Sequence, residues 1–243
     1  RDTDRSRGLG DVYKRQTTYC TSEWGVLLKG KGNCQGYAKA YALLLQKVHI
    51  PVKFANSYSM MHMWNVVRLQ GKWYHVDLTW DDPLNPNTHK DQPGLVLHEN
   101  FLCSTSYLKK KGYRGIRCKL TTSSKYDHKY WKRVNSAFYY QKGRFIYQTD
   151  RAVRQRKRIA GGAARTLARA GGSLFVKGSK GRFYFINFNR IYYYNGRTHQ
   201  VKLVWEGGKK YASYQAVQLS FANGRLKVGL QRGKICKIIT VAG

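Results

Sequence analysis

Small or apolar side chains recur at Cys34, Tyr37, Ala38, Tyr41, Leu45 and Val48. That is the i, i+3, i+4, i+7, i+11, i+14 spacing of one helical face. Asn33 in front is a good N-cap and Pro51 closes the segment. A helix is therefore predicted from Cys34, with the cysteine in its first turn on the face that turns inward. The period then changes. "MHMWNVVRLQGKWYHVDLTWDDP" (61–83) reads as two strands joined at Gln70-Gly71. A two-residue turn pairs Leu69 with Lys72, Trp64 with Asp77 and His62 with Thr79. On that register His62 and Asp77 are diagonal neighbours on one face, with Cα atoms about 7–8 Å apart; a three-residue turn separates them to opposite faces. His75 shares the face of Asp77 and is the rival histidine.

From about residue 121 the chain becomes strand-like, tyrosine-rich and punctuated by turns, and it repeats. "RFIYQTDRAVRQRKRIAGG" (144–162), "RIYYYNGRTHQVKLVWEGG" (190–208) and "RLKVGLQRGKICKIITVAG" (225–243) are ungapped nineteen-residue segments. Each has Arg at its first and eighth positions and Arg or Lys at its thirteenth. "FYYQKG", "FYFINFN" and "LSFANG" precede them as a further strand and turn. The unit is strand, tight turn, strand, turn, strand, which fits part of a β-propeller or a related β-array. Three such units do not close a propeller. Arginines at fixed repeat positions point to structural or surface roles, since a catalytic residue is not expected in every unit.

Two features of the chain limit what else can be read. Residues 6–16, "SRGLGDVYKRQ", match the translation of a transposase-based sequencing adaptor, so residues 1–16 are set aside as a non-native scar. The domains expected are then 17–120, mixing helix and strand, and 121–243, a basic β-repeat region. The longest apolar runs, such as residues 40–45, are far too short to span a bilayer.

The formal charge is +33, and residues 121–243 hold 26 Lys/Arg against Asp127, Asp150 and Glu206. Such an excess favours an anionic partner: an anionic membrane surface, a polyanionic cell wall or a nucleic acid. No nucleic-acid motif is present, which ranks that partner last. The five cysteines form no C-x-x-C pair and have no zinc spacing. Asp77, Asp81 and Asp82 read as turn and surface chemistry in preference to a calcium site, and neither metal nor cofactor is implied.

The sulfur of Cys34 carries the chemistry. At a helix start, backbone N–H groups and the helix dipole favour a thiolate, and the same N–H groups can hold an oxyanion. Gly36 keeps the surface low nearby. Taken alone, such a cysteine reads as a packed residue. With His62 as base and Asp77 fixing the imidazole, it has what thiol nucleophilic catalysis needs.

"KGKGNCQGYAKAYALLL", "HMWNVVRLQGKWYHVDLTWDDP" and "ENFLCSTSYL" together resemble the core blocks of the transglutaminase-like superfamily, bacterial type, over about residues 22–110. The resemblance implies an α+β fold, a papain-like core truncated at its N-terminus, followed here by the all-β repeats. It implies Cys34 as nucleophile, His62 as base in H-x-W-N, and Asp77 as orienting acid in W-x-x-x-D-x-T-W. It also implies a further strand at "HENFL" and a short helix at "STSYLKK". The upstream residue that completes the oxyanion hole in some members is not assigned; Trp24 lies in its neighbourhood.

The activity so implied is acyl transfer on protein or peptide amides, with hydrolysis, as by a cysteine peptidase or amidase, ahead of amine cross-linking. Analogy with bacterial surface proteins implies an extracellular or cell-envelope site. The rival expectation is a non-catalytic protein that binds a cell-wall or membrane polyanion through the basic repeats.

Overall fold

The computed structural model describes residues 19–242; the segment set aside as adaptor-derived lies outside them. Among these residues the chain is mostly antiparallel β-sheet with a few helices, and it divides into two compact units.

The first unit takes the chain up to Pro83 together with Leu97–Lys132. Helix α1 (Glu23–Lys29) is capped by the Ser22 hydroxyl and ends at Gly30 in the left-handed region. Helix α2 (Cys34–Lys47) begins at the predicted residue, and the Asn33 side chain accepts from the N–H groups of Gln35 and Gly36. Its buried set is Cys34, Gly36, Ala38, Ala40, Ala42 and Leu45. The predicted face therefore needs correction: Tyr37 and Tyr41 are half-buried and Val48 is 62% exposed. The cause is a second buried flank of small residues. A Cβ on Gly36 would lie 2.3 Å from the Cys20 carbonyl oxygen and 3.1 Å from Val26. The glycine thus allows the chain before and within α1 to close on the helix; it does not clear space around the sulfur.

Strands β1 (Val52–Ser57), β2 (His62–Leu69), β3 (Lys72–Val76) and β4 (Phe101–Cys103) follow one another across one antiparallel sheet. The two-residue turn is present: Gln70 and Gly71 have φ of 51° and 77°, as a type I′ hairpin requires, and Leu69 faces Lys72. The expected pairing of Thr79 with His62 is not made. Asp77 leaves the ladder to cap helix α3 (Leu78–Asp81), its carboxylate accepting from Trp80 N–H. Helix α4 (Thr105–Lys110) follows β4, the strand-then-helix order implied for "HENFL" and "STSYLKK". Ala55, Trp64, Val66, Cys103, Leu108 and Tyr113 form one buried core cluster of this unit.

The second unit takes Leu84–Val96 and Arg133–Gly243. Residues 121–132, grouped with the basic region by composition, thus pack in the first unit, while 84–96 pack in the second. Three antiparallel sheets form in chain order. They are β5 (Tyr139–Gln141), β6 (Arg144–Gln148), β7 (Ala152–Arg156) and β8 (Arg165–Arg169), then β9 (Phe175–Lys177), β10 (Arg182–Asn187), β11 (Arg190–Asn195) and β12 (Val201–Glu206), and finally β13 (Gln215–Ala222), β14 (Arg225–Arg232) and β15 (Ile235–Ala242). Each nineteen-residue repeat starts a strand, β6, β11 or β14, and the first two sheets gain a fourth strand that the repeat does not contain. Strand β10 shows why its sequence is continuously apolar. Phe183 and Phe185 pack into one core with Ile146 and Val153; Tyr184 and Ile186 pack into another with Leu219, Leu226 and Val228. A strand buried on both faces loses the period-2 alternation.

Candidate active site

Two elements carry the reacting groups and one buried contact sets them in register. Cys34 is the first residue of α2 and 2% exposed; His62 is the first residue of β2 and also buried. The Asn65 amide on β2 donates to the Ala38 carbonyl on α2 at 3.0 Å, fixing how the helix lies on the strand. The Cys34 side chain is hydrogen-bonded to the His62 ring. On the other side of the ring, Nε2 lies 2.6 Å from Asp77 Oδ2. Since an ionised carboxylate only accepts, that contact assigns the hydrogen to Nε2 and leaves Nδ1 for the sulfur. The structure therefore brings Cys34, His62 and Asp77 together.

Further residues build this arrangement. Asp77 Oδ2 also accepts from the Tyr113 hydroxyl at 2.6 Å, while Oδ1 accepts from Trp80 N–H at 3.2 Å. Three donors hold the one carboxylate. Trp80 stacks on His62 with ring centroids 4.9 Å apart and planes 13° off parallel, and Trp64 stacks at 5.5 Å and 27°. Burial pulls the His62 pKa down, but the charge and hydrogen bond of Asp77, joined by Cys34, outweigh it and carry the value up to about 10. Two indole faces favour the same cation. Burial, followed by the Asp77 charge and hydrogen bond, drives the Tyr113 phenol well up, so it stays a donor.

The rival histidine has a different task. His75 Nδ1 accepts from the Trp64 indole N–H at 2.9 Å, and its Nε2 meets Thr105 Oγ1 at 2.9 Å. Thr105 in turn meets Thr122. Burial lowers the His75 pKa to about 4 against the pull of Asp77, which keeps Nδ1 an acceptor. His75 orients Trp64, which stacks on His62.

Two of the three aspartates are not surface groups. Asp77 and Asp81 are buried, and Asp81 accepts from the Asn100 backbone and side-chain N–H groups at 2.9 and 3.0 Å. Asp82 accepts from the Tyr37 hydroxyl.

The oxyanion expectation also changes. Asn33 already occupies the N–H groups of Gln35 and Gly36, two of the first-turn donors. Trp24 is exposed, packs on Tyr19 and is outside the cavity wall. A cavity of about 360 Å³ opens on Cys34 and His62. Gln35 and Asn56 belong to its lining, with Tyr58, Met61 and Met63 as its apolar side.

Sequence reasoning missed Tyr113, Trp80 and Asn65 as site residues. Asn65 and Trp80 lay inside the quoted motif and carried a signal; Tyr113 did not, standing alone beyond α4.

Fold and site together define a buried thiol–imidazole–carboxylate cluster at a helix start and at the ends of the two inner strands of the sheet. Residues 11–78 match the model of the transglutaminase-like superfamily, a span that contains Cys34, His62 and Asp77, is less than half of the chain, and begins inside the segment set aside as adaptor-derived. No curated protein matches. Among solved structures, the N-terminal domain of Nup159 is matched at 10% identity and a TM-score of 0.30, over 74% of this chain and 41% of that one. A likeness that low carries no argument; the chain spans well under two thirds of that structure.

Proposed function

We propose that the first unit is a papain-like, transglutaminase-like core performing thiol-dependent acyl transfer on protein or peptide amides, with Cys34 as nucleophile, His62 as base and Asp77 as orienting acid. The observation that carries this reading is the His62 ring held between Cys34 and Asp77, with 2.6 Å to the carboxylate. The cavity on Cys34 and His62 gives a substrate access.

His62 takes the Cys34 proton and the sulfur attacks the amide carbonyl. A C–S bond forms and the carbonyl π pair moves to oxygen, where Gln35 and Asn56 offer N–H donors. Collapse breaks the C–N bond; the leaving amine takes the proton from His62 and a thioester remains. Water then gives a proton to His62 and adds to the carbonyl, the C–S bond breaks, and the sulfur recovers the proton. The sum is amide plus water to acid plus amine. Hydrolysis is the first reading, and a lysine-type amine in place of water makes the same site a cross-linker. An extracellular or envelope location belongs to this proposal by analogy, as does reading the three sheets as consecutive propeller-type units.

The test is a panel of peptide amides, with and without a primary amine acceptor, read by mass spectrometry. Turnover is expected with the wild type and a loss of at least about 1000-fold with Cys34→Ala and with His62→Ala, the order seen for members of such triads. Turnover retained by Cys34→Ala sinks the assignment. A non-catalytic role in binding polyanions is the second reading, favoured by the charge of residues 121–243.

A further inference from the structure

A second cavity, of about 290 Å³, lies wholly within the second unit, lined by residues of the β5–β8 and β9–β12 sheets. Its wall from the first sheet is a cross-strand ladder. Ile146, Gln155 and Arg165 are partners across β6, β7 and β8. Arg144 stands two residues from Ile146 and opposite Gln141 on β5, so these side chains share one face. The second sheet contributes Tyr194 and His199, whose Nδ1 is 2.6 Å from the Tyr194 hydroxyl.

Two properties of this cavity suit a ligand. Lys142, Arg144 and Arg165 give it three fixed positive charges, and no acidic residue lines it. The equivalent repeat position in the next sheet is neutralised, since Arg190 is paired with Glu206 at 2.7 Å; neither Arg144 nor Arg165 has an acidic partner among the described residues. The second property is Gln155. It is only 8% exposed, lines the cavity, and its amide has no hydrogen-bond partner among the described residues. The amide is not sealed off, so it is open to a polar group of an occupant. Burial raises the Tyr194 pKa and the Arg165 charge pulls it back, in keeping with the guanidinium reaching across to the phenol.

We propose that this cavity binds a small sugar or polyol phosphomonoester. Three unpaired cations without an acid match a dianion better than a monoanion. The guanidinium forks of Arg144 and Arg165 suit the oxygens of a phosphate. The volume exceeds that of a phosphate group alone. The remainder is bounded by amides from Gln141 and Gln155, by the Tyr194–His199 pair and by Ile146, which suits a hydroxylated carbon skeleton. This site does not depend on the acyl-transfer reading, and Cys34 is not part of it.

Isothermal titration of the full chain at 50 mM salt tests the assignment, with glucose 6-phosphate, inorganic phosphate, glucose and a glycerol phosphodiester as probes. Saturable one-to-one binding is expected for glucose 6-phosphate, at least tenfold tighter than for inorganic phosphate or the diester, with none for glucose. Arg165→Gln and Arg144→Gln each weaken it at least tenfold. Arg225→Gln, an exposed arginine at the same repeat position as Arg144 but outside the cavity, leaves it unchanged. Equal weakening by Arg225→Gln, equal affinity for the diester, or no binding of glucose 6-phosphate overturns the proposal. Circular dichroism of the exposed arginine variants keeps misfolding from being read as lost binding.

Discussion

At the scale of single residues, the first unit separates its ionisable groups by environment. His62, between Cys34 and Asp77, is pushed up to about 10, whereas His75, buried and donating only to Thr105, is pulled down to about 4. Cys103 is buried beside Lys132 Nζ at 2.9 Å, yet burial outweighs that cation and drives the thiol up to about 12. One histidine is thus suited to hold a proton and the other to accept a hydrogen bond. A pH signature follows. Because the folded pKa of His62 lies above its ordinary value of about 6.5, its stabilisation is fully present below pH 6.5 and is lost as pH rises toward 10. Urea midpoints of the wild type should fall across that window, and His62→Gln should flatten the fall. An equally steep fall in the variant would mean that another group controls it.

At the scale of elements, the start of α2 is the piece on which the site depends. Asn33 caps it, Gly36 admits the Cys20 carbonyl and Asn65 ties it to β2. Gly36→Ala forces a Cβ to 2.3 Å from backbone and should destabilise the unit by about 1–3 kcal/mol. Asn33→Ala should cost about 1 kcal/mol through the lost cap. Urea unfolding checks both; a neutral Gly36→Ala would show that the close approach relaxes freely.

Much of this was legible. Asn33 ahead of a helical period marked the start of α2, and Gln-Gly between apolar runs marked the turn that sets His62 and Asp77 on adjacent strands. The end of β3 was not legible, because Asp77 reads equally well as a strand residue until its cap to Trp80 is seen. The burial of Asp81 was hidden likewise, its partner Asn100 being nineteen residues away. Alanines on α2 concealed the second buried flank, since a small residue reads as neutral in any hydrophobic pattern. Tyr113 reaches Asp77 from thirty-six residues on, a distance that no local period encodes.

At the scale of the whole molecule, charge and repetition belong together. All six arginines at the first and eighth repeat positions, from Arg144 and Arg151 to Arg225 and Arg232, are exposed. They fit the surface role read from the sequence. The repeat foretold three strands per sheet, and the additional β8 and β9 escaped it because their sequences, "RTLAR" and "FVK", have no counterpart in the other units. An exposed basic surface of this kind should hold a soluble polyanion such as heparin weakly and with strong salt dependence. Between 50 and 200 mM salt the affinity should drop on the order of 1000-fold if six or more cations engage, and Cys34→Ala should leave it unchanged. Salt-insensitive binding would argue for specific contacts in place of charge.

The central claim, that His62 and Asp77 activate Cys34, is tested most directly by iodoacetamide alkylation at pH 6. Peptide mapping follows Cys34 apart from the other four thiols, in the wild type, His62→Ala and Asp77→Asn. The account predicts that Cys34 is modified in the wild type at least tenfold faster than in either variant, with Cys103 unmodified throughout. Equal rates in all three folded proteins would contradict it and leave Cys34 a packed residue at the start of a helix.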